Sequence, residues 1–211
     1  MSLLEEISEK LQAGKAKEVA ALVQQAIDEG MPAEKILNEG LLSGMGVIGD
    51  KFKNNEIYVP QVLVAARAMN KGSALLKPIL QSEGAHASGK VVIGTIEGDL
   101  HDIGKNLVIM MMEGKGLEVI DLGTDVPAEK FIETAINEHC DVIACSALLT
   151  TTMNNMAALI TKAQEAGIRD KVKIMVGGAP VSDEFARKIG ADCYTPDAAS
   201  AAEEAAAYCM K

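Results

Sequence analysis

Apolar residues in the first eighty positions recur at the spacing of one helix face. Val19, Leu22, Val23, Ala26 and Ile27 form one such stripe, and Gly30 followed by Pro32 ends it and opens the next. A second run comprises Ile36, Leu37, Leu41, Met45 and Ile48. A third begins near Pro60 with Val62, Leu63, Ala66 and Met69, and a fourth spans Gly72 to Leu80, interrupted at Pro78. Four amphipathic segments joined by short turns predict an all-α helical bundle.

The stretch QSEGAHASGK, residues 81 to 90, loses this period and is rich in Gly, Ser and Ala, the composition of a linker. Beyond it, short β-branched runs alternate with helical segments: VVIGTI at 91–96, LEVIDL at 117–122, DVIACSA at 141–147 and VKIMVGG at 172–178. ADCYT at 191–195 is a candidate fifth strand, and Pro196 with Asp197 suits the start of an alanine-rich terminal helix. Nearly continuous apolar strands between helices predict a doubly wound α/β domain whose parallel sheet is covered on both faces. The expected organisation is a helical domain over 1–84, a linker at 85–90 and an α/β domain over 91–211.

Composition removes several functions. The 211 residues are 48% hydrophobic, enough for a substantial core, but only 3% aromatic with no Trp, which disfavours a surface that stacks on bases or sugars. Twenty Lys and Arg against thirty Asp and Glu leave a net charge of −10, the wrong sign for nucleic acid or anionic membrane. The acidic start MSLLEEISEK does not look like an export signal, and no run is long and apolar enough to span a bilayer, so a cytoplasmic location is expected. Cys140, Cys145, Cys193 and Cys209 match no zinc or thioredoxin spacing and read as packing residues.

In an open parallel sheet, ligands bind beyond the carboxyl ends of the strands. After the first strand stands EGDLHDIGKN, with Asp99, His101 and Gly104 in the pattern D-x-H-x-x-G. A carboxylate two residues from an imidazole can hold one ring nitrogen and leave the other for a metal or a proton. Taken alone, such a histidine is read more readily as a cap on the following helix. The third strand, however, ends in SALLTTTM, offering Ser146, Thr150 and Thr152, and the fourth ends in Gly177 and Gly178, whose bare backbone admits a bulky ligand. Met110, Met111 and Met112 point in different directions on a helix and read as core filling. His86 and His139 read as incidental, and Lys105 and Asn106 as weak candidates for contacts to a ligand's phosphate or amides.

Asp99-Leu100-His101-Asp102-Ile103-Gly104, the S-x-L of Ser146 to Leu148 and the Gly177-Gly178 pair resemble the signature of cobalamin-binding domains that hold the cofactor with its benzimidazole displaced from cobalt. The segment LLSGMGVIGDKFKNNEIYVPQVLVAARAM is similar to the helical cap of methionine synthase and of the corrinoid proteins of anaerobic methyltransferase systems. The resemblance covers nearly the whole chain. It implies a flavodoxin- or Rossmann-like cobalamin domain under a helical cap, with a cobalamin or related corrinoid, and hence cobalt, as cofactor.

The same resemblance implies roles. His101 would be the lower axial ligand of cobalt and Asp99 its hydrogen-bonding partner, with Thr152 where a serine commonly completes the relay. Asp102, Ile103 and Gly104 would lie under the corrin, Ser146, Leu148 and Thr150 along the nucleotide tail, and Gly177 and Gly178 would give that tail room. Met45 and Val64 would cover the methyl-bearing face, although packing between helices accounts for them equally. The implied function is a methyl carrier of anaerobic one-carbon metabolism, not catalytic alone. Its implied partners are a substrate-specific methyltransferase, a second methyltransferase acting on tetrahydrofolate or a thiol cofactor, and a reductive activase. A cobalamin-responsive sensor and the cobalamin-binding subunit of an adenosylcobalamin mutase are the alternatives.

Overall fold

The computed structural model describes residues 2–82 and 87–210. Two compact units divide the chain, Met1–Ala87 with Gly114–Gly116 and Ser88–Glu113 with Leu117–Lys211. The expected linker at 85–90 is described only from Ala87 onward, and His86 lies outside the described residues; Lys90 already belongs to a strand.

The first unit is helical: α1 (Leu3–Gln12), α2 (Ala16–Asp28), α3 (Ala33–Lys35) continuing through a π-helical segment Ile36–Leu42 into α4 (Ser43–Lys53), and α5 (Val59–Ser82). The sequence reading overlooked α1. It opens with a capping box in which Ser2 Oγ accepts from the Glu5 amide at 3.2 Å and Glu5 accepts from the Ser2 amide at 2.6 Å. Leu4, Ile7 and Leu11 then bury one face. The third and fourth predicted helices are a single helix, α5, with Pro78 inside it. Proline there removes one amide from the hydrogen-bond ladder near the helix end, a smaller loss than breaking a helix packed along the unit.

The second unit runs β1 (Lys90–Thr95), α6 (Ile103–Glu113), β2 (Glu118–Asp121), α7 (Ala128–Asn137), β3 (Val142–Ser146), α8 (Met153–Glu165), β4 (Lys173–Gly177), α9 (Asp183–Ile189), β5 (Cys193–Tyr194) and α10 (Ala198–Cys209). All five strands are parallel, in the order β2-β1-β3-β4-β5. This is the doubly wound sheet that the apolar runs predict. Asp197 opens α10 as expected, accepting from the Ser200 amide at 2.8 Å.

Side chains alternate across the sheet. Val92, Ile96, Ile143, Cys145, Ile174 and Val176 join Phe131, Met156 and Leu159 in a core beneath α7 and α8. Gly94 belongs to this face, because a Cβ there would stand 2.8 Å from the Phe131 ring. Thr95 therefore turns to the opposite face, covered by α6 and α10. Met111 and Met112 are buried in α6, as core filling requires. Each fully buried large apolar side chain contributes about 1.5–3 kcal/mol. The strand order reverses between β1 and β3, and the loops beyond those two strands flank the ligand-binding crevice of such sheets.

Candidate functional site

The loop from Ile96 to Asp102 leaves β1 beside that switch point and is fastened from three directions. From its own strand, the buried Thr95 hydroxyl donates to the His101 carbonyl at 2.8 Å. From the β3–α8 loop, the amides of Leu148 and Leu149 donate to Asp99 Oδ2 at 2.7 and 3.1 Å, and from the first turn of α8 Asn155 Nδ2 donates to the Glu97 carbonyl at 2.9 Å. From the β2–α7 loop, Asp125 Oδ1 accepts from the Gly98 amide at 2.7 Å and the Asp125 amide donates to the Asp99 carbonyl at 2.9 Å.

Asp99 is wholly buried. Its Oδ1 accepts from the His101 amide at 3.1 Å and faces His101 Nδ1 at 2.9 Å. Burial alone would raise the carboxyl's pKa. The amide of Leu148 above all, then the His101 amide and ring and the Leu149 amide, outweigh it and hold Asp99 far below the usual carboxylate range. An ionised carboxylate only accepts, so the proton between the two groups resides on Nδ1. In the neutral ring this leaves the lone pair on Nε2, which no hydrogen bond among the described residues engages. The ring is 53% exposed.

Thr152, expected to complete a relay, has its Oγ1 3.2 Å from Asp99 Oδ2 and 2.9 Å from the Leu149 carbonyl. A single hydroxyl proton serves one of these acceptors at a time. Its methyl would lie 3.3 Å from a Cβ on Gly98, so the bare backbone of that glycine accommodates what threonine adds to serine.

The remaining residues are brought together in part. Leu100, Ile103, Leu148 and Leu149 are large, apolar and exposed around the histidine loop, an unusual concentration for a solvent-facing surface. Thr95, Ser146 and Gly177 are register partners across β1, β3 and β4 and form one row on the face covered by α6 and α10. A Cβ added to Gly104 or Gly177 would meet nothing within 4 Å. Gly178 serves another purpose: at φ +127° its missing Cβ would stand 1.8 Å from the Ala147 carbonyl oxygen, so glycine there permits backbone to approach backbone. Asp102 accepts from Asn106 Nδ2 at 3.2 Å. Thr150 is exposed on the β3–α8 loop. Met45 and Val64 belong to the helical unit, Met45 in its core at 2% exposure and Val64 at 44%.

Lys105, read as a weak ligand contact, has its ammonium buried and committed to Asp121 at 2.6 Å and Asn106 at 2.8 Å. The cysteines are free, and burial pushes the Cys140 and Cys209 thiols up to about 11, which keeps them protonated. His139 is exposed just past the end of α7.

Sequence reasoning missed Thr95, Asp125 and Asn155. Thr95 had a signal, a hydroxyl at the end of an otherwise apolar strand. Asp125 lies in the loop after β2, a strand end of the same kind as those after β1, β3 and β4.

These residues fit a metal that brings most of its own ligands. Among the described residues no group of three or more His, Cys, Asp or Glu could hold a bare ion. One oriented imidazole, an apolar rim and open positions at Gly104 and Gly177 suit a large macrocycle.

Two family models described as "B12 binding domain" match the chain, one over residues 89–206 and one over residues 3–77. The dimethylamine corrinoid protein of Methanosarcina barkeri is 44% identical over 205 residues, covering 96% of this chain and 95% of that one. The chain belongs to the B12-binding corrinoid protein family. A trimethylamine corrinoid protein of Methanosarcina acetivorans is 44% identical over 177 residues, 83% of this chain and 82% of its own length. Among solved structures, the methanol:cobalamin methyltransferase complex MtaBC from Methanosarcina barkeri superposes with a TM-score of 0.88 at 32% identity, covering 98% of this chain and 79% of that one.

This corrinoid protein therefore has the architecture of its family, a helical N-terminal region and a Rossmann-like C-terminal domain, and its cofactor is a cobalamin or related corrinoid. Among the described residues no helix is long and apolar enough to cross a membrane.

Proposed function

We propose that this corrinoid protein is a methyl carrier, holding its cofactor with His101 as the lower axial ligand and the benzimidazole displaced. The observation that carries this reading is the 2.9 Å contact between Asp99 and His101 Nδ1, which presents Nε2 as a ligand. When bound, the corrinoid supplies a cobalt centre able to accept and release a methyl group.

The chain's own residues do the rest. Asp99 fixes the ring and its tautomer, and five donors keep its carboxylate in place. The Thr152 hydroxyl can turn between Asp99 and the Leu149 carbonyl, which lets it adjust the charge that Asp99 shares with the imidazole. Ser146, Leu148 and Thr150 would line the nucleotide tail, Gly177 would leave it space, and Asp102, Ile103 and Gly104 would lie under the ring. The helical unit, matched by its own B12-binding model, corresponds to the cap of the family, and the exposed Val64, rather than the buried Met45, is its candidate for contact with the cofactor. The proposed domain limits are 1–84 and 91–211.

The partners are a substrate-specific methyltransferase, a second methyltransferase for an acceptor such as tetrahydrofolate or a thiol, and a reductive activase. The relatives' names favour methylamines or methanol as the donor class. The test is reconstitution with cobalamin of the wild type and His101→Ala. The variant should retain some corrinoid more weakly and change its visible spectrum; an unchanged spectrum with retained methyl transfer would remove His101 from the role. Assaying methylamines and methanol with candidate methyltransferases then identifies the donor.

A further inference from the structure

Asp125 occupies a backbone region that few non-glycine residues adopt, at φ +56°. Conformations of this kind persist where surrounding structure holds them, and they concentrate at functional sites. What holds Asp125 is a two-way clamp on the histidine loop. Its carboxylate accepts from the Gly98 amide at 2.7 Å, and its own amide donates to the Asp99 carbonyl at 2.9 Å. Gly98 is itself at φ +83°. The two bonds thus grip the peptides on either side of the turn that aims Asp99 inward.

The clamp is anchored to the sheet. The Val126 amide donates to the Thr95 carbonyl at 3.0 Å and the Thr95 amide to the Gly123 carbonyl at 2.9 Å, so the β2–α7 loop continues the pairing of β1 and β2 beyond their ends. Thr95 in turn holds the His101 carbonyl. Asp125 therefore lies on a short path from rigid strands to the segment carrying the imidazole. Without its carboxylate, Gly98 would lose its protein acceptor, and the turn before Asp99 would be held less tightly, by the Asp125 and Asp99 amides and Asn155 alone.

We infer that Asp125 is a positioning residue for the axial ligand: it fixes the Gly98–Asp99 turn so that the Asp99–His101 pair meets cobalt in one orientation. The inference rests on the reading of His101 as the lower ligand. Asparagine retains an acceptor oxygen and tolerates positive φ, alanine retains neither advantage, and glycine relieves the backbone while losing the acceptor.

The test reconstitutes wild type, Asp125→Asn, Asp125→Ala, Asp125→Gly and His101→Ala with cobalamin, and reads nitrogen superhyperfine splitting in the cobalt(II) resonance together with corrinoid affinity. With ¹⁵N-labelled protein and unlabelled cobalamin, wild type and Asp125→Asn should both show the doublet splitting of a protein nitrogen instead of the triplet of the cofactor's benzimidazole. Asp125→Ala and Asp125→Gly should show a reduced histidine-bound fraction and about tenfold weaker binding. Splitting and affinity in Asp125→Ala equal to wild type would overturn the role of Asp125 and leave that of His101 intact. Full recovery in Asp125→Gly would overturn it too, since backbone strain alone would then explain the alanine defect. A wild-type spectrum without the protein-nitrogen doublet, identical to that of His101→Ala, would overturn both readings.

Discussion

Asp99 places one carboxylate oxygen 2.9 Å from Nδ1 of His101 and the other 2.7 Å from the amide of Leu148, a residue 49 positions away in sequence. The same side chain therefore orients the imidazole and ties the loop after β1 to the loop after β3. In Asp99→Asn, the amide oxygen would remain with the Leu148 and Leu149 amides while the NH₂ group turned towards His101. The ring would then accept at Nδ1 and carry its proton on Nε2, where it cannot bind a metal. This variant should fold, bind corrinoid about 10–100-fold more weakly and give the visible spectrum of His101→Ala. A spectrum with histidine still bound would show that Asp99 does not select the tautomer.

Asp99 also makes stability depend on pH. Its folded pKa is depressed, so its contribution is complete above the unfolded carboxyl value of about 3.9 and is lost as pH falls below that towards the lower folded value. Urea unfolding of the apoprotein should show stability declining from pH 5 to 3, with a shallower decline in Asp99→Asn. The two proteins differ in the Asp99 carboxyl alone, so parallel curves would mean that Asp99 is not depressed.

The adjacent glycines should respond in opposite ways. Gly178→Ala drives a methyl into the Ala147 carbonyl at an unfavourable φ and should destabilise the apoprotein by about 3 kcal/mol. Gly177→Ala meets open space, so urea stability should change by less than about 1 kcal/mol while corrinoid affinity falls about tenfold. Equal affinity in Gly177→Ala and wild type would mean that the tail does not use this opening.

The sheet was legible because its strands are apolar runs between helices, and the histidine loop because Asp99 and His101 are close in sequence. What binds that loop was not. The Leu148 and Leu149 amides donate whatever their side chains are, and Asp125 acts through a backbone conformation that its residue type does not announce. Gly178 was assigned room for a ligand when its nearest constraint is the Ala147 carbonyl, a proximity created only once β3 and β4 are paired. In the helical unit, Ser2-x-x-Glu5 with Leu4, Ile7 and Leu11 at helical spacing is a usable signal for α1. Pro78 misled in the other direction, because a local breaker was weighed without the packing that sustains α5.

Lys105 and Asp121 form an asymmetric ion pair: the lysine side chain is 1% exposed and the aspartate 42%. Removing the lysine leaves a carboxylate that water can reach and that still accepts from the Gly123 amide at 2.8 Å. Removing the aspartate leaves a buried ammonium with only a neutral acceptor, the Asn106 side-chain oxygen. Breaking a buried pair from the side that strands the charge costs about 3–5 kcal/mol, whereas solvent screening limits the cost from the other side. Asp121→Ala should therefore destabilise the apoprotein by about 3 kcal/mol and Lys105→Met by about 1 kcal/mol. The double variant should be more stable than Asp121→Ala alone, because it no longer buries an unpaired charge. Urea unfolding of the three variants measures the cycle; equal losses in the two single variants, or additive loss in the double, would show that the lysine gains other solvation when its partner is removed.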